Sequence, residues 1–136
     1  MPLKAGGLCP CHSGRPYQQC CAPFHNGRHP ATPALLMRAR YAAYALGNAR
    51  FIMSTTHPGS PLFKKDKQSW RREVKIFCAE TSFIGLHIIS AAQQSPQQGE
   101  VTFYAALAQA GKDASFTERS LFKKEKERWY YFSALD

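Results

Sequence analysis

FIGLHIISAA, residues Phe83 to Ala92, is where the periodicity of the chain changes from helical to strand-like. It is apolar and β-branched, the composition that suits a pleated, half-buried surface. Ser95 to Gly99, with Pro96 and Gly99, reads as a hairpin loop, and Glu100 to Ala110 (EVTFYAALAQA) as the returning strand. Gly111 to Asp113 turn the chain again. Ser115 to Lys124 (SFTERSLFKK) alternates polar and apolar residues, as a strand with one buried face does. Glu125 to Glu127 make a further turn, and Arg128 to Ala134 (RWYYFSA) completes a four-stranded antiparallel meander.

Working back from Phe83, Lys75 to Ala79 reads as a short edge strand, and about Lys65 to Val74 as a helix. This segment gathers Lys64, Lys65, Lys67, Arg71 and Arg72 around Trp70. Such a face is either a solvated helix surface or a contact for a partner, since basic side chains flanking an exposed aromatic suit single strands. Ala49 to Thr55 forms a short helix that stops ahead of Thr56-His57-Pro58-Gly59, because the residue before a proline disfavours α. The main helix spans Pro33 to Leu46, capped by Thr32 with proline at the first position and stopped by Gly47-Asn48. Leu36, Met37, Tyr41, Tyr44 and Ala45 make its buried stripe, with Arg38 and Arg40 reading as off it. Three helices followed by an antiparallel meander is an α+β class.

Ala22 to Pro33 holds three prolines and no periodicity, and reads as a linker. The division is a small unit at 1–25, a linker at 26–33 and a main domain at 34–136. The small unit carries CPCHSGRPYQQCC, Cys9 to Cys21, with four of the five cysteines. Four thiolates take Zn²⁺ tetrahedrally, so Cys9, Cys11, Cys20 and Cys21 are the expected ligands of a closed, structural site. Ser13-Gly14 supplies the turn and Pro16 to Gln19 a short helix that delivers the second pair. Two disulfides compete for the same cysteines, but they belong to small secreted chains. The start MPLKAGGL has no apolar signal core, and Cys78 would be left over. The CxxC spacing of a redox pair is absent. His12 and His25 could each displace a cysteine; His12 reads as a surface residue of the turn.

At 136 residues and 44% hydrophobic, the chain makes one domain and an appendage. No apolar run approaches the length of a membrane span, and cytosol is the default compartment. The formal net charge is +9; four thiolates with one Zn²⁺ would leave about +7. A field of that sign favours encounter with nucleic acid, the ribosome surface or an acidic protein.

The cysteine string resembles the SEC-C motif, CPCGSGxxYxxCC, on Cys9-Pro10-Cys11, Ser13-Gly14, Tyr17 and Cys20-Cys21, with His12 in place of the usual glycine. That motif is known as the zinc-binding tail of the SecA translocase, where it contacts the SecB chaperone and the ribosome. LMRARYAAY followed by a segment ending in His57-Pro58 is similar to the YchJ family. Some members carry a second, C-terminal SEC-C motif, for which this sequence has no counterpart. The resemblance implies a main domain similar to nuclear transport factor two, a cystatin-like cone in which a strongly bent sheet wraps a long helix. It also implies a pocket, for which Tyr41, Tyr44, His57, Trp70, His87, Tyr104, Glu118 and Trp129 are the candidates. Acid–base catalysis there would need His57 or His87 within reach of Glu118, with Arg38 or Arg119 as the competing partner of that carboxylate. No Ser-His-Asp order, phosphate loop or carboxylate pair is present, so a non-enzymatic binding module is the leading expectation. A small-molecule binder or enzyme using the cone is the alternative, and a homodimer through the open sheet face is a further expectation.

Overall fold

The computed structural model describes residues 7–135. Residues 1–6 of the expected N-terminal unit, and residue 136, lie outside the described residues. A 3₁₀ turn at Tyr17–Gln19 precedes four helices, α1 (Ala22–His25), α2 (Pro33–Leu46), α3 (Ala49–Ser54) and α4 (Lys67–Glu80). Five strands follow: β1 (Thr81–Ser95), β2 (Gln98–Gln109), β3 (Lys112–Asp113), β4 (Phe116–Glu125) and β5 (Arg128–Ala134). They form one antiparallel sheet in the order β1-β2-β4-β5, with the short β3 paired to β2. Three register shifts along β1 and β2 bend this long ribbon, since each irregularity adds local twist. The fold is mixed α+β, as the change of periodicity at Phe83 indicates.

The sheet curves around α2. Val101, Phe103, Ala105 and Leu107 alternate inward along β2 and meet Leu36, Met37 and Tyr41 of α2, with Phe122, Trp129 and Tyr131 completing the core. The opposite face keeps Tyr104 exposed, and Ile84 and Ile89 of β1 are exposed as well. α2 begins on Thr32, whose hydroxyl accepts from Leu35 N, and ends on Gly47 at φ 72°. Both caps stand where the sequence puts them.

Three local readings change. The expected edge strand at 75–79 is the second half of α4. Asp66 caps that helix through Ser69 N, and Trp70, Val74 and Phe77 recur at helical spacing to reach the core. The proline-rich stretch after Cys21 holds α1, with proline in its first turn. Arg40, read as off the buried stripe, is 3% exposed. It stands four residues after Leu36 and three after Met37, so its stem follows their stripe while its head finds partners in α3.

The N-terminal unit packs directly on the main domain. Cys9, Cys11 and Cys21 belong to the same core cluster as α2 and the sheet. Arg38 donates to Cys11 O at 3.3 Å, His12 Nε2 to Phe83 O at 3.2 Å, and His25 Nε2 to Ala39 O at 2.8 Å.

Candidate metal centre and the cavity beside it

The cysteine loop is a miniature hairpin. Cys9 N donates to Arg15 O at 2.8 Å and Tyr17 N to Gly7 O at 2.9 Å, which returns the chain through Ser13-Gly14. Gly14 sits at φ 85° and His12 at φ 64°. The left-handed backbone that the motif's usual glycine would adopt freely is thus kept with a histidine in its place. His12's ring is held by Phe83 O and lies edge-on to Tyr41, with centroids 5.8 Å apart. The 3₁₀ turn then brings Cys20 N to Tyr17 O and presents Cys20 and Cys21 together.

The four sulfurs of Cys9, Cys11, Cys20 and Cys21 all lie within 4.8 Å of one another. Cys11 and Cys20 are 3.6 Å apart, Cys20 and Cys21 4.0 Å. Tetrahedral bonds of about 2.3 Å to zinc require sulfur–sulfur edges of about 3.8 Å, whereas a disulfide requires about 2.05 Å. The spacing is that of a cage for one ion, and all five cysteines are free thiols. Cys21 and Cys9 both bond to Cys11, holding its thiol far below the usual range; in return Cys9 is pushed up to about 11 and Cys21 also rises. A set this crowded keeps thiolates together only around a cation. Ser13 Oγ, 3.1 Å from Cys20 Sγ, supplies a hydroxyl donor to the half-buried member.

Neither histidine is a ligand. His25 is buried with Nε2 donating to Ala39 O, so Nδ1 accepts from the Tyr17 hydroxyl at 2.7 Å. Burial lowers its pKa and keeps it neutral. It pins α1 to α2.

Beside the metal loop, α2, α4 and the sheet enclose a cavity of about 370 Å³. Tyr41, Tyr44, Trp70 and Glu118 line it, as expected. His57 and Trp129 do not. His57 lies at the sheet edge, where Nε2 donates to Glu125, Gly59 N donates to Nδ1, and the ring packs on Tyr130 and Phe132. That contact holds the Glu125 carboxyl below its usual range. Trp129 lies under a different cleft. His87 and Tyr104 are cross-strand partners on the exposed side of the sheet. No histidine lines the cavity, so the expected acid–base pairing with Glu118 is not assembled there.

What meets Glu118 is a group of residues that the sequence reading missed. Glu118 Oε2 accepts from Ser120 Oγ at 2.5 Å and Tyr131 OH at 2.9 Å. Arg40, rather than Arg38 or Arg119, is the cation on this wall, donating through Nη1 to Ile52 O, Thr55 Oγ1 and Thr56 Oγ1. Its guanidinium also stacks 4.7 Å from the Tyr131 ring centroid. Burial, then the Glu118 charge, raises the Tyr131 pKa. The available signal was parity: Glu118, Ser120 and Phe122 share one face of β4, and Phe122 is fully buried.

The basic segment is divided. Lys64 pairs with Glu73 at 2.5 Å, and Lys67 lies 4.5 Å over Phe63. Lys65, Arg71 and Arg72 are exposed. Trp70 is 5% exposed and belongs to the core, so it cannot be the stacking platform expected of an exposed aromatic.

Comparison with known proteins agrees with this geometry. Residues 8–23 match the SEC-C motif and residues 32–134 the middle NTF2-like domain of YchJ. A UPF0225 protein of Serratia proteamaculans is 36% identical over 128 residues, covering 91% of this chain and 80% of the relative. One from Vibrio cholerae is 38% identical over 125 residues, with 90% and 79% covered. The solution structure of RPA3114, a SEC-C motif containing protein from Rhodopseudomonas palustris, has a TM-score of 0.79 at 34% identity, covering 93% of this chain and 95% of that one. An NTF-2 like protein of unknown function from Shewanella oneidensis, at 14% identity, has a TM-score of 0.57 over 74% of this chain and 92% of that one, and shares the fold alone. Over most of its described length, therefore, the chain belongs to the YchJ (UPF0225) family, an SEC-C motif joined to an NTF2-like domain.

Proposed function

We propose that this protein is a zinc-holding, non-enzymatic binding module that docks on an acidic macromolecule: a protein, the ribosome or RNA. The observation that carries the reading is the cluster of Cys9, Cys11, Cys20 and Cys21, whose four sulfurs all lie within 4.8 Å of one another, close enough to share one ion. Four protein ligands leave no position for a substrate, so the ion's work is to shape the N-terminal loop and hold it on α2. All-sulfur tetrahedral sets take zinc or iron. Elemental analysis of tag-free protein should give one zinc per chain; iron, or cystine at these positions, would overturn the assignment. The docking surface is the exposed basic surface at the start of α4, Arg71 and Arg72 on the helix with Lys65 just before its cap, on a chain of formal net charge +9. A pull-down from lysate with intact and zinc-stripped protein tests it. Free thiols in a metal cage suit the reducing cytosol.

The 370 Å³ cavity favours a second reading, a small-molecule binder, because Glu118 Oε1 has no partner among the described residues on a wall otherwise mostly apolar. A native mass spectrum that retains a ligand would favour this reading, and the Glu118→Gln variant should then lose that ligand. The exposed Ile84, Ile89 and Tyr104 mark where a second copy would pair, which sedimentation at rising concentration would read.

A further inference from the structure

Three arginines far apart in sequence converge on one cleft at the seam between the N-terminal unit and the sheet. Arg28 follows α1, Arg50 lies in the first turn of α3, and Arg128 opens β5. The cleft measures about 520 Å³, within the range of about 300–1,000 Å³ usual for ligand sites. All three side chains are exposed, and none makes a hydrogen bond or ion pair with any described residue. His29 adds a further donor, and no carboxylate lines the cleft. The nearest acids in sequence stand elsewhere: Glu125 is bonded to His57, and Glu127 sits in the β4–β5 turn.

The site has a fixed base. Trp129 is buried, with its indole N–H donated to Ala31 O at 3.2 Å, and Arg28 N is bonded to Pro23 O. Phe51 packs on His25 at 4.7 Å, which ties the α3 wall to α1. Unpaired guanidinium forks match phosphate oxygens two at a time, where ammonium groups would act as point charges. The half-buried flanks of Phe24 and Tyr130 offer apolar surface for a planar ring beside them.

From this convergence we infer that the cleft between α1, α3 and β5 binds a nucleoside phosphate, either as a free nucleotide or as one unit of an RNA strand. Neither the metal nor the α4 face enters the argument, so the inference goes beyond the docking reading and can fail separately from it.

The test uses the full chain, with metal content measured on the same sample. AMP, inorganic phosphate, a short single-stranded oligoribonucleotide and a glutamate-rich peptide are each titrated while the arginine Nε–Hε resonances are followed. AMP should shift Arg28, Arg50 and Arg128 at concentrations where phosphate and peptide do not. The Arg28→Ala/Arg50→Ala/Arg128→Ala variant should bind AMP at least about tenfold more weakly. Lys65→Ala/Arg71→Ala/Arg72→Ala should bind it as wild type does, whatever that second variant does to larger partners. If the strand is the source, the oligoribonucleotide displaces AMP, and the triple cleft variant makes its salt slope shallower by about 2. If AMP binds without being displaced, the free nucleotide is the source. The single variant Arg50→Lys, which keeps the charge and loses the fork, should also weaken AMP, so the conclusion does not depend on the triple variant folding. Unshifted arginine resonances, equal binding of peptide and AMP, or wild-type AMP binding by both cleft variants would overturn the inference.

Discussion

Arg40 and Tyr41, adjacent on α2, face opposite demands. Arg40 carries its charge into the core and is satisfied by Ile52 O, Thr55 and Thr56, with Glu118 and the Tyr131 ring nearby. Removing a buried charge strands its partners, so Arg40→Ala should cost about 3–5 kcal/mol in denaturant unfolding. Adding Glu118→Gln should cost less on that background than in wild type; additive losses would show that the two are not coupled. Tyr41 donates to Gly85 O at 2.9 Å, and burial raises its pKa to about 12. A raised pKa means that the folded state holds its proton longer, so this stabilisation is complete below about pH 10, the unfolded value, and is lost as pH rises through about 12. Tyr41→Phe should lose about 1 kcal/mol at neutral pH and show a shallower decline in stability between about pH 10 and pH 12; an unchanged slope would rule out the linkage. At this scale the clustering of four cysteines was legible, because it depends on spacing within thirteen residues. Arg40 was not, because its acceptors are placed by α3 and by the hydroxyls that follow it.

Elements were legible where local chemistry decides them and illegible where tertiary contact does. The Thr32 cap, the stop at Gly47 and the turn before β5 are short-range signals, and they stand. The 75–79 segment reads as a strand in isolation but continues α4, because Phe77 and Cys78 are brought against the core by the helical spacing that Trp70 and Val74 begin. Gly99 reads as a loop residue, yet it is buried in β2, where an added Cβ would stand 2.7 Å from the Pro33 ring at the start of α2. Since a proline ring yields little, Gly99→Ala should destabilise by about 1–3 kcal/mol, read as a lowered urea midpoint. The same reasoning bears on the metal loop. Three of its sulfurs are core members and three hydrogen bonds tie the N-terminal segment to α2 and β1. The sequence alone leads one to expect Cys20→Ser/Cys21→Ser to unfold a separable knuckle. With this packing, those variants or a chelator should lower the melting temperature of the whole chain in one merged transition. A retained cooperative transition at the wild-type temperature would show the unit to be independent.

For the whole molecule, charge is legible from composition, but its distribution is not. Eighteen basic residues against nine acidic ones set the sign of the field. Folding then decides which cations remain available. Lys64 goes to Glu73, Lys67 to Phe63, Arg38 to the Cys11 carbonyl and Arg40 to the interior. Arg71 and Arg72 stay on the solvent side of α4 and Lys65 is exposed just before its Asp66 cap, while Trp70 and Val74 anchor the helix's other side. Reversing those three to glutamate therefore touches no buried contact, and unfolding free energy should change by less than about 0.5 kcal/mol per site. If this face docks a long polyanion, each lost phosphate contact should flatten the log–log salt dependence by about 0.7. Binding of a long single-stranded RNA by the triple reversal should thus weaken most at low salt and converge on wild type at high salt. An unchanged salt slope would free α4 of any docking role and leave the arginine cleft as the place to look.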